Sequence, residues 1–222
     1  MTIDIAAADE LLTTTRGVRR RLDFDKPVDP KLIEDCIEIA LQAPVGSPVT
    51  PRHFIVITDQ AKKTAVADLY RKVTYPYLDE REAAADAMDD PAKAGLVRKN
   101  LGLARQQADE LDRNPALIIL AIDGRAEGKD VAELGGLYGS ILPAAWSLML
   151  ALRARGLGSC WTTLHLYSEP EVAALLGIPA DVTQTVLLPV AYFTGETFRP
   201  ARRLPAAEQT HWNGWGQHRS GS

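Results

Sequence analysis

The sequence is poor in the residues that usually announce chemistry. Of 222 residues, only two are cysteine and four are histidine. Cys36 and Cys160 lie far apart in apolar segments, so they read as structural thiols of a reducing compartment. The histidines (His53, His165, His211 and His218) show no metal-ligand spacing, and neither CxxC nor HExxH occurs. A G-x-S-x-G elbow and a P-loop are also missing. The run Gly135-Gly-Leu-Tyr-Gly139 precedes a helix but lacks the G-x-G-x-x-G spacing and a strand before it, which leaves a Rossmann dinucleotide site unsupported. There is no excess of positive charge: the net charge of −4 argues against a nucleic-acid partner. No apolar run reads as long and uncharged enough to span a bilayer, and the polar N-terminus lacks a secretory h-region. The expectation is a cytoplasmic protein without a membrane partner and without a metal. Internal repeats, low-complexity segments and linker-like stretches are lacking too, so one domain is expected, with ample core material at 46% hydrophobic residues.

What is present centres on Gly135 to Leu164. Leu137, Ile141, Ala144, Ala145, Leu148, Met149 and Leu152 recur at three- and four-residue steps and define one helix face. The opposite face carries Leu142, Trp146 and Leu150 rather than charges, so the helix is expected to be buried all round. Pro143 is read as a first-turn residue, and Gly156 as the stop. Leu157 to Leu164, with Cys160, Trp161, Thr162 and Thr163, suits a buried strand entering a site.

Along the chain, Ile3 to Thr14 reads as helical. It is followed by four arginines in six residues, Arg16 to Arg21, with Gly17 and Val18 among them. This cluster is either a solvated, repelling patch or a seat for a dianion, with forked donors for phosphate and a glycine for close backbone approach. Pro30 to Ala43 is an amphipathic helix through Ile33, Cys36, Ile37, Ala40 and Leu41. Ala43 to Pro51 then carries three prolines and a glycine, a rigid irregular loop that either lines a ligand or simply connects. Phe54 to Thr58 reads as a strand and Lys62 to Arg71 as a helix capped by Asp59. Tyr75 to Asp112 reads as exposed helices, a solvated face or a mobile cover. Ala116 to Ile122 is a buried strand. Ser168-Glu-Pro-Glu171 reads as a capping box for a helix ending at Gly177. Thr183 to Phe193 is a strand in which Pro189 implies an edge or a bulge. The tail holds Arg199, Arg202, Arg203, Trp212 and Trp215, the tryptophans needing cover from their own domain or a partner.

These parts include no nucleophile or acid–base team. Cationic segments near both ends, with amide and hydroxyl donors between them, suit a phosphorylated planar cofactor that carries the reaction itself. On Thr14-Thr-Arg-Gly-Val-Arg19, the Ala43-Pro44 loop before a strand, Ala144 to Gly158 and Phe198 to Leu204, the sequence resembles the nitroreductase family of FMN-dependent oxidoreductases, from about Leu11 to Arg203.

The resemblance implies an α+β fold, a central mostly antiparallel sheet surrounded by helices, in an intertwined homodimer with FMN at the interface. It implies a single flavin-binding domain over residues 1–222, with a C-terminal segment from about 195 to 222 packing on the partner. Arg16, Gly17, Val18 and Arg19 would belong to the N-terminal phosphate and flavin motif, with Arg203 and Arg199 closing on the phosphate. Pro44, Val45, Gly46, Ser47 and Pro48 would line the flavin from the partner subunit, and Thr162 and Thr163 would face its N5 and O4 edge. Tyr138, Trp161, Leu164 and His165 are candidates for the substrate-pocket wall or for core. NADH or NADPH would pass hydride through flavin N5 to a nitroaromatic or quinone-like acceptor, in ping-pong turnover. A flavin-sequestering protein without turnover is the alternative, and a dehalogenating or flavin-fragmenting relative a third reading. Three departures from the family stand out: Gly17 where serine is usual, Pro48 and Thr50 where amides are common, and Arg52 in place of a tryptophan.

Overall fold

The computed structural model describes residues 3–46, 50–196 and 198–219. Ser47 and Pro48, two of the residues expected to line the flavin, lie outside the described residues. The chain divides into two compact units: Thr15–Gly195, and the described residues of Met1–Thr14 with those of Glu196–Ser222.

The larger unit is built on two strands, β3 (Ala116–Asp123) and β5 (Val182–Phe193), paired antiparallel. β2 (Arg52–Ile57) pairs on the far side of β3, while the short β1 (Leu22–Asp23) and β4 (Leu157–Ser159) pair on β5. All of these ladders are antiparallel, as expected for the sheet. Side chains of β3 alternate between two cores. Ala116, Ile118, Leu120 and Ile122 join the cluster containing α2 (Pro30–Ala40) and α5 (Val131–Arg153). Leu117 and Ile119 join the cluster formed with α3 (Gln60–Asp86), α4 (Pro91–Asp109) and α6 (Glu169–Leu176). Covered on both faces, β3 has no polar side, which is why its sequence is an unbroken apolar run.

Pro189 occupies a central strand rather than an edge. Leu187 exchanges both backbone bonds with Thr162 at 2.9 and 3.1 Å, so Leu187 and Pro189 direct their nitrogens to the same side. There Pro189 has no hydrogen to offer, and the ladder is interrupted between Ser159 and Thr162. The expected strand from Leu157 to Leu164 is therefore three residues, one isolated bridge at Thr162 and a 3-10 turn over Leu164–Ser168. A bulge does occur nearby: Thr185 falls between the pairs Leu120–Val186 and Ala121–Gln184, and its hydroxyl donates to the Leu120 carbonyl at 2.8 Å.

The helices correct several expectations. α5 starts at Val131 behind a capping box of Asp130 and Glu133. Pro143 is consequently interior, not first-turn, and the Gly139 carbonyl loses its helical donor. Ser168 makes no side-chain cap, so the capping box expected there is absent; Glu169 instead pairs with Arg125 at 2.8 Å. α3 does not stop at Arg71 but runs 27 residues, with Val66, Ala67, Tyr70, Thr74 and Leu78 on a buried stripe. The charged region from Tyr75 to Asp112 is mostly exposed, as read, with Leu78, Ala85, Ala94, Gln107, Ala108 and Leu111 buried. α5 is also long and apolar enough, by length and composition, to cross a membrane, contrary to the sequence reading. Its buried face nevertheless packs on α2 and the sheet. Nor is it buried all round: Gly135, Gly139 and Trp146 are exposed and Leu142 and Leu150 half-buried.

The smaller unit contains α1 (Ile5–Thr14) and α7 (Ala206–Gln209). In its tail His211 stacks on Trp215 at 4.3 Å and Arg219 lies over Trp212 at 4.9 Å.

Candidate functional site

The N-terminal arginine loop is held against β4. Val18 donates its N–H to the Ser159 carbonyl at 2.9 Å and is buried. Contact this close depends on two glycines. A Cβ at Gly158 would sit 3.1 Å from the Val18 side chain, and one at Gly17 would sit 3.1 Å from the Cys160 Sγ. The thiol is buried and occupies the space that a side chain at position 17 would need. Burial also pushes the Cys160 thiol up, so it stays protonated near neutrality.

From this anchored loop Arg19 reaches α4, where its Nε donates to the Gln107 Oε1 at 2.8 Å. Among the described residues no carboxylate pairs with Arg19, and it is half-buried. Arg20 makes a longer contact to Gln106 at 3.4 Å. Gln107 is 6% exposed, and its Nε2 has no hydrogen-bond partner among the described residues. Arg16 and Gly17 are exposed.

Thr162 is fixed by its bridge to Leu187 and by a hydroxyl bond at 2.8 Å to Tyr70, a wholly buried residue of α3. Burial pushes the Tyr70 phenol up, and Arg19 and Cys160 both act on it electrostatically. Gly17, Arg19, Cys160 and Thr162 are therefore brought together from segments far apart in sequence. Thr163 is exposed beside them, Trp161 and Leu164 are half-buried, and His165 is wholly buried. Among the described residues both ring nitrogens of His165 lack partners, and burial holds its pKa at about 4, so the imidazole is neutral.

The proline loop is pinned elsewhere. Gly46 donates its N–H to the Ser140 Oγ at 3.0 Å, and that hydroxyl donates to the Gly136 carbonyl at 2.7 Å. Pro44 is exposed and Val45 half-buried. Arg52 accounts for the start of the loop. Its guanidinium donates to the Ala43 and Leu41 carbonyls at 3.2 and 2.8 Å, satisfying acceptors that the end of α2 leaves open. A cavity of about 400 Å³ opens here, lined by Gly46, Thr50, Asp123, Lys129, Glu133 and Ser140 among others. Tyr138, half-buried, lies in the same half of α5. None of Gly17, Arg19 or Thr162 lines this cavity. Within the larger unit, then, the candidate residues fall into two groups. Arg199 and Arg203, in the smaller unit, are exposed.

Sequence reasoning missed Gln107, Tyr70 and Ser140. Tyr70 was findable as a member of the Val66–Ala67–Tyr70–Leu78 stripe. Gln107 and Ser140 carry no local signal, because their partners are 88 and 94 residues away.

The sequence model of the Nitroreductase family matches residues 13–192. Nitrobenzene nitroreductase of Ectopseudomonas oleovorans is 26% identical over 198 residues, spanning 78% of this chain and 81% of the relative. Iodotyrosine deiodinase 1 of Rattus norvegicus is 27% identical over 190 residues, spanning 82% of this chain and 61% of the relative. Among solved structures, a variant of the FMN and NADPH-dependent nitroreductase NfnB from sphigopyxis sp. strain HMH superimposes with a TM-score of 0.65 at 23% identity. That match covers 94% of this chain and 99% of the other.

Proposed function

The chain belongs to the nitroreductase family, and from that premise we propose that it is an FMN-dependent oxidoreductase reducing electron-poor acceptors of the nitroaromatic or quinone class with NADH or NADPH. The observation that carries the reading is the Arg19 corner. A half-buried guanidinium without a carboxylate, beside the orphaned amide donor of a buried glutamine, calls for an acceptor-rich ligand. FMN, with phosphate oxygens and ring carbonyls, fits that donor excess. Bound FMN would supply two-electron chemistry, accepting hydride from the nicotinamide and passing it to the acceptor.

In this reading Arg16, Gly17, Val18 and Arg19 hold the nucleotide; Arg199 and Arg203 of the smaller unit are candidate phosphate ligands to be tested by substitution. Thr162 and Thr163 donate at the ring edge, where each donor raises the electron affinity of the ring. Trp161 and Leu164 wall the pocket and exclude water, with His165 behind them as a neutral imidazole, while Tyr138, on the proline-loop side, walls the pocket of a second subunit. One shared pocket for nicotinamide and acceptor gives ping-pong turnover, and no side chain is required as proton donor. Pro44, Val45 and Gly46 serve the flavin of a second subunit, which fits their separation from the Arg19 corner. The exposed apolar stripe of α5 supports a homodimer, since Gly135, Gly139, Leu142, Trp146 and Leu150 leave an apolar helix face open on one chain.

A dehalogenating activity is the second reading, favoured by the similarity to iodotyrosine deiodinase 1. Anaerobic titration separates the readings. Purified protein is expected to be yellow, to bleach with NADH or NADPH, and to regain colour with a nitroaromatic or quinone. Recovery only with a halogenated phenol, with release of halide, would move the assignment to the second reading. Yellow protein that never bleaches would leave a flavin-sequestering protein. Arg19→Ala and Arg203→Ala are each expected to weaken FMN binding about ten- to hundredfold, the worth of a charge-assisted phosphate contact. Full flavin retention in both would refute the phosphate assignment.

A further inference from the structure

We propose that Gln107 of α4 is a positioning residue for Arg19, holding the guanidinium so that its free fork faces an acceptor-rich part of the flavin nucleotide. The inference rests on the FMN reading above. A guanidinium on a long side chain is positioned only if one of its nitrogens is tied down, and the tie must not consume the fork that faces a ligand. Here the tie is at Nε, to the Gln107 Oε1 at 2.8 Å, and among the described residues it is the only hydrogen bond Arg19 makes. Both nitrogens of the guanidinium fork remain as donors.

The partner is a neutral amide rather than a carboxylate, so the positive charge of Arg19 is oriented but not cancelled. An amide also cannot offer its oxygen without directing its nitrogen elsewhere. The Gln107 Nε2 is buried and has no acceptor among the described residues, an arrangement unfavourable by itself. A ligand's acceptors are met by the free Arg19 fork, which Gln107 holds from the protein side. The backbone around Arg19 is equally fixed, through the Val18–Ser159 bond and the Gly17–Cys160 contact, so the whole corner is set before a ligand arrives. α4 thereby acquires a role beyond covering the sheet: it orients a cation of the N-terminal loop across 88 residues of sequence.

The acceptor has two sources on FMN, the phosphate and the ring carbonyls, and riboflavin, which lacks phosphate, separates them. FMN and riboflavin dissociation constants are measured by flavin fluorescence on the flavin-stripped protein for wild type, Gln107→Met, Gln107→Glu, Arg19→Ala and the Arg19→Ala/Gln107→Met pair. Circular dichroism melting of the same samples verifies folding. Gln107→Met is expected to bind FMN about ten- to hundredfold more weakly. Gln107→Glu, which keeps the acceptor but neutralises the cation, is expected to be weaker still. The double variant is expected to match Arg19→Ala closely, because a positioning residue has nothing left to orient. A loss confined to FMN assigns the contact to phosphate. An equal loss for both flavins, with a more negative midpoint potential, assigns it to the ring; either outcome supports the proposal. Unchanged affinity in folded Gln107→Met and Gln107→Glu, or full additivity with Arg19→Ala, overturns it while leaving the FMN reading intact. If wild type binds neither flavin, the FMN reading and this inference with it are refuted.

Discussion

Adding a single methyl group at Gly17 tests how the N-terminal loop is held to the sheet. The new carbon would lie 3.1 Å from the Cys160 Sγ, too close for a comfortable contact, and the sulfur is buried. Overpacking of this kind costs about 1–3 kcal/mol. Gly17 is not among the residues with positive φ, so alanine incurs no backbone strain and should gain about 0.4–1 kcal/mol from a stiffer unfolded chain. The balance for Gly17→Ala is a loss of about 0–2.5 kcal/mol. In a Cys160→Ala background the clash is gone and only the gain remains, so the same substitution should stabilise by about 0.4–1 kcal/mol. The change of sign, a coupling of about 1–3 kcal/mol, is the signature, and urea unfolding of the four flavin-stripped proteins measures it. If Gly17→Ala has the same effect with and without the thiol, to within about 0.5 kcal/mol, the contact with Cys160 is not what selects glycine. The cycle also bears on the departure from the serine usual at this position. Gly17→Ser should be tolerated only after Cys160 is trimmed.

Three further outcomes follow from the geometry. Arg52→Ala strips the donors from the Leu41 and Ala43 carbonyls at the end of α2; limited proteolysis should cleave residues 41–51 faster, with a stability loss of about 1–3 kcal/mol, and an unchanged cleavage rate would show the clamp to be idle. His165, neutral when folded with a pKa of about 4 against about 6.5 in the unfolded chain, binds fewer protons than the unfolded state between those values. Stability should therefore fall by about 3 kcal/mol as pH drops from 6.5 to 4, and His165→Phe should flatten that limb of the urea-midpoint profile; an equally steep limb in the variant would refute the assignment. Trp146→Glu places a charge on the exposed apolar stripe of α5; sedimentation should show a monomer with weakened flavin retention, and a dimer that keeps its flavin would place the interface elsewhere.

How legible the chain was depended on how local each signal was. α2, β3 and the body of α5 could be read because their apolar periods are direct consequences of burial on one or two faces. The end of α3 and the start of α5 could not. At Arg71 the helix continues because Tyr70, Thr74 and Leu78 find a core, and at Val131 it starts because Asp130 and Glu133 cap each other. β1, two residues long, exists only because Leu22 and Asp23 meet Phe193 and Tyr192. In the candidate site, Gly17, Arg19 and Thr162 were found from motif order, whereas Tyr70 and Gln107 were not. Their hydrogen bonds close over 92 and 88 residues and leave no periodic trace.

The resemblance to nitroreductases implied the α+β class, while the sequence by itself determined the two-sided burial of β3 and the arginine loop as a candidate anion seat. Those two properties follow from composition and from repeat lengths set by backbone geometry. Only the tertiary structure decided that Pro189 interrupts the ladder above Thr162, that Cys160 occupies the space next to Gly17, and that a glutamine on a distant helix holds Arg19. Each depends on which side chains share a volume once the chain is closed, and no local spacing encodes that.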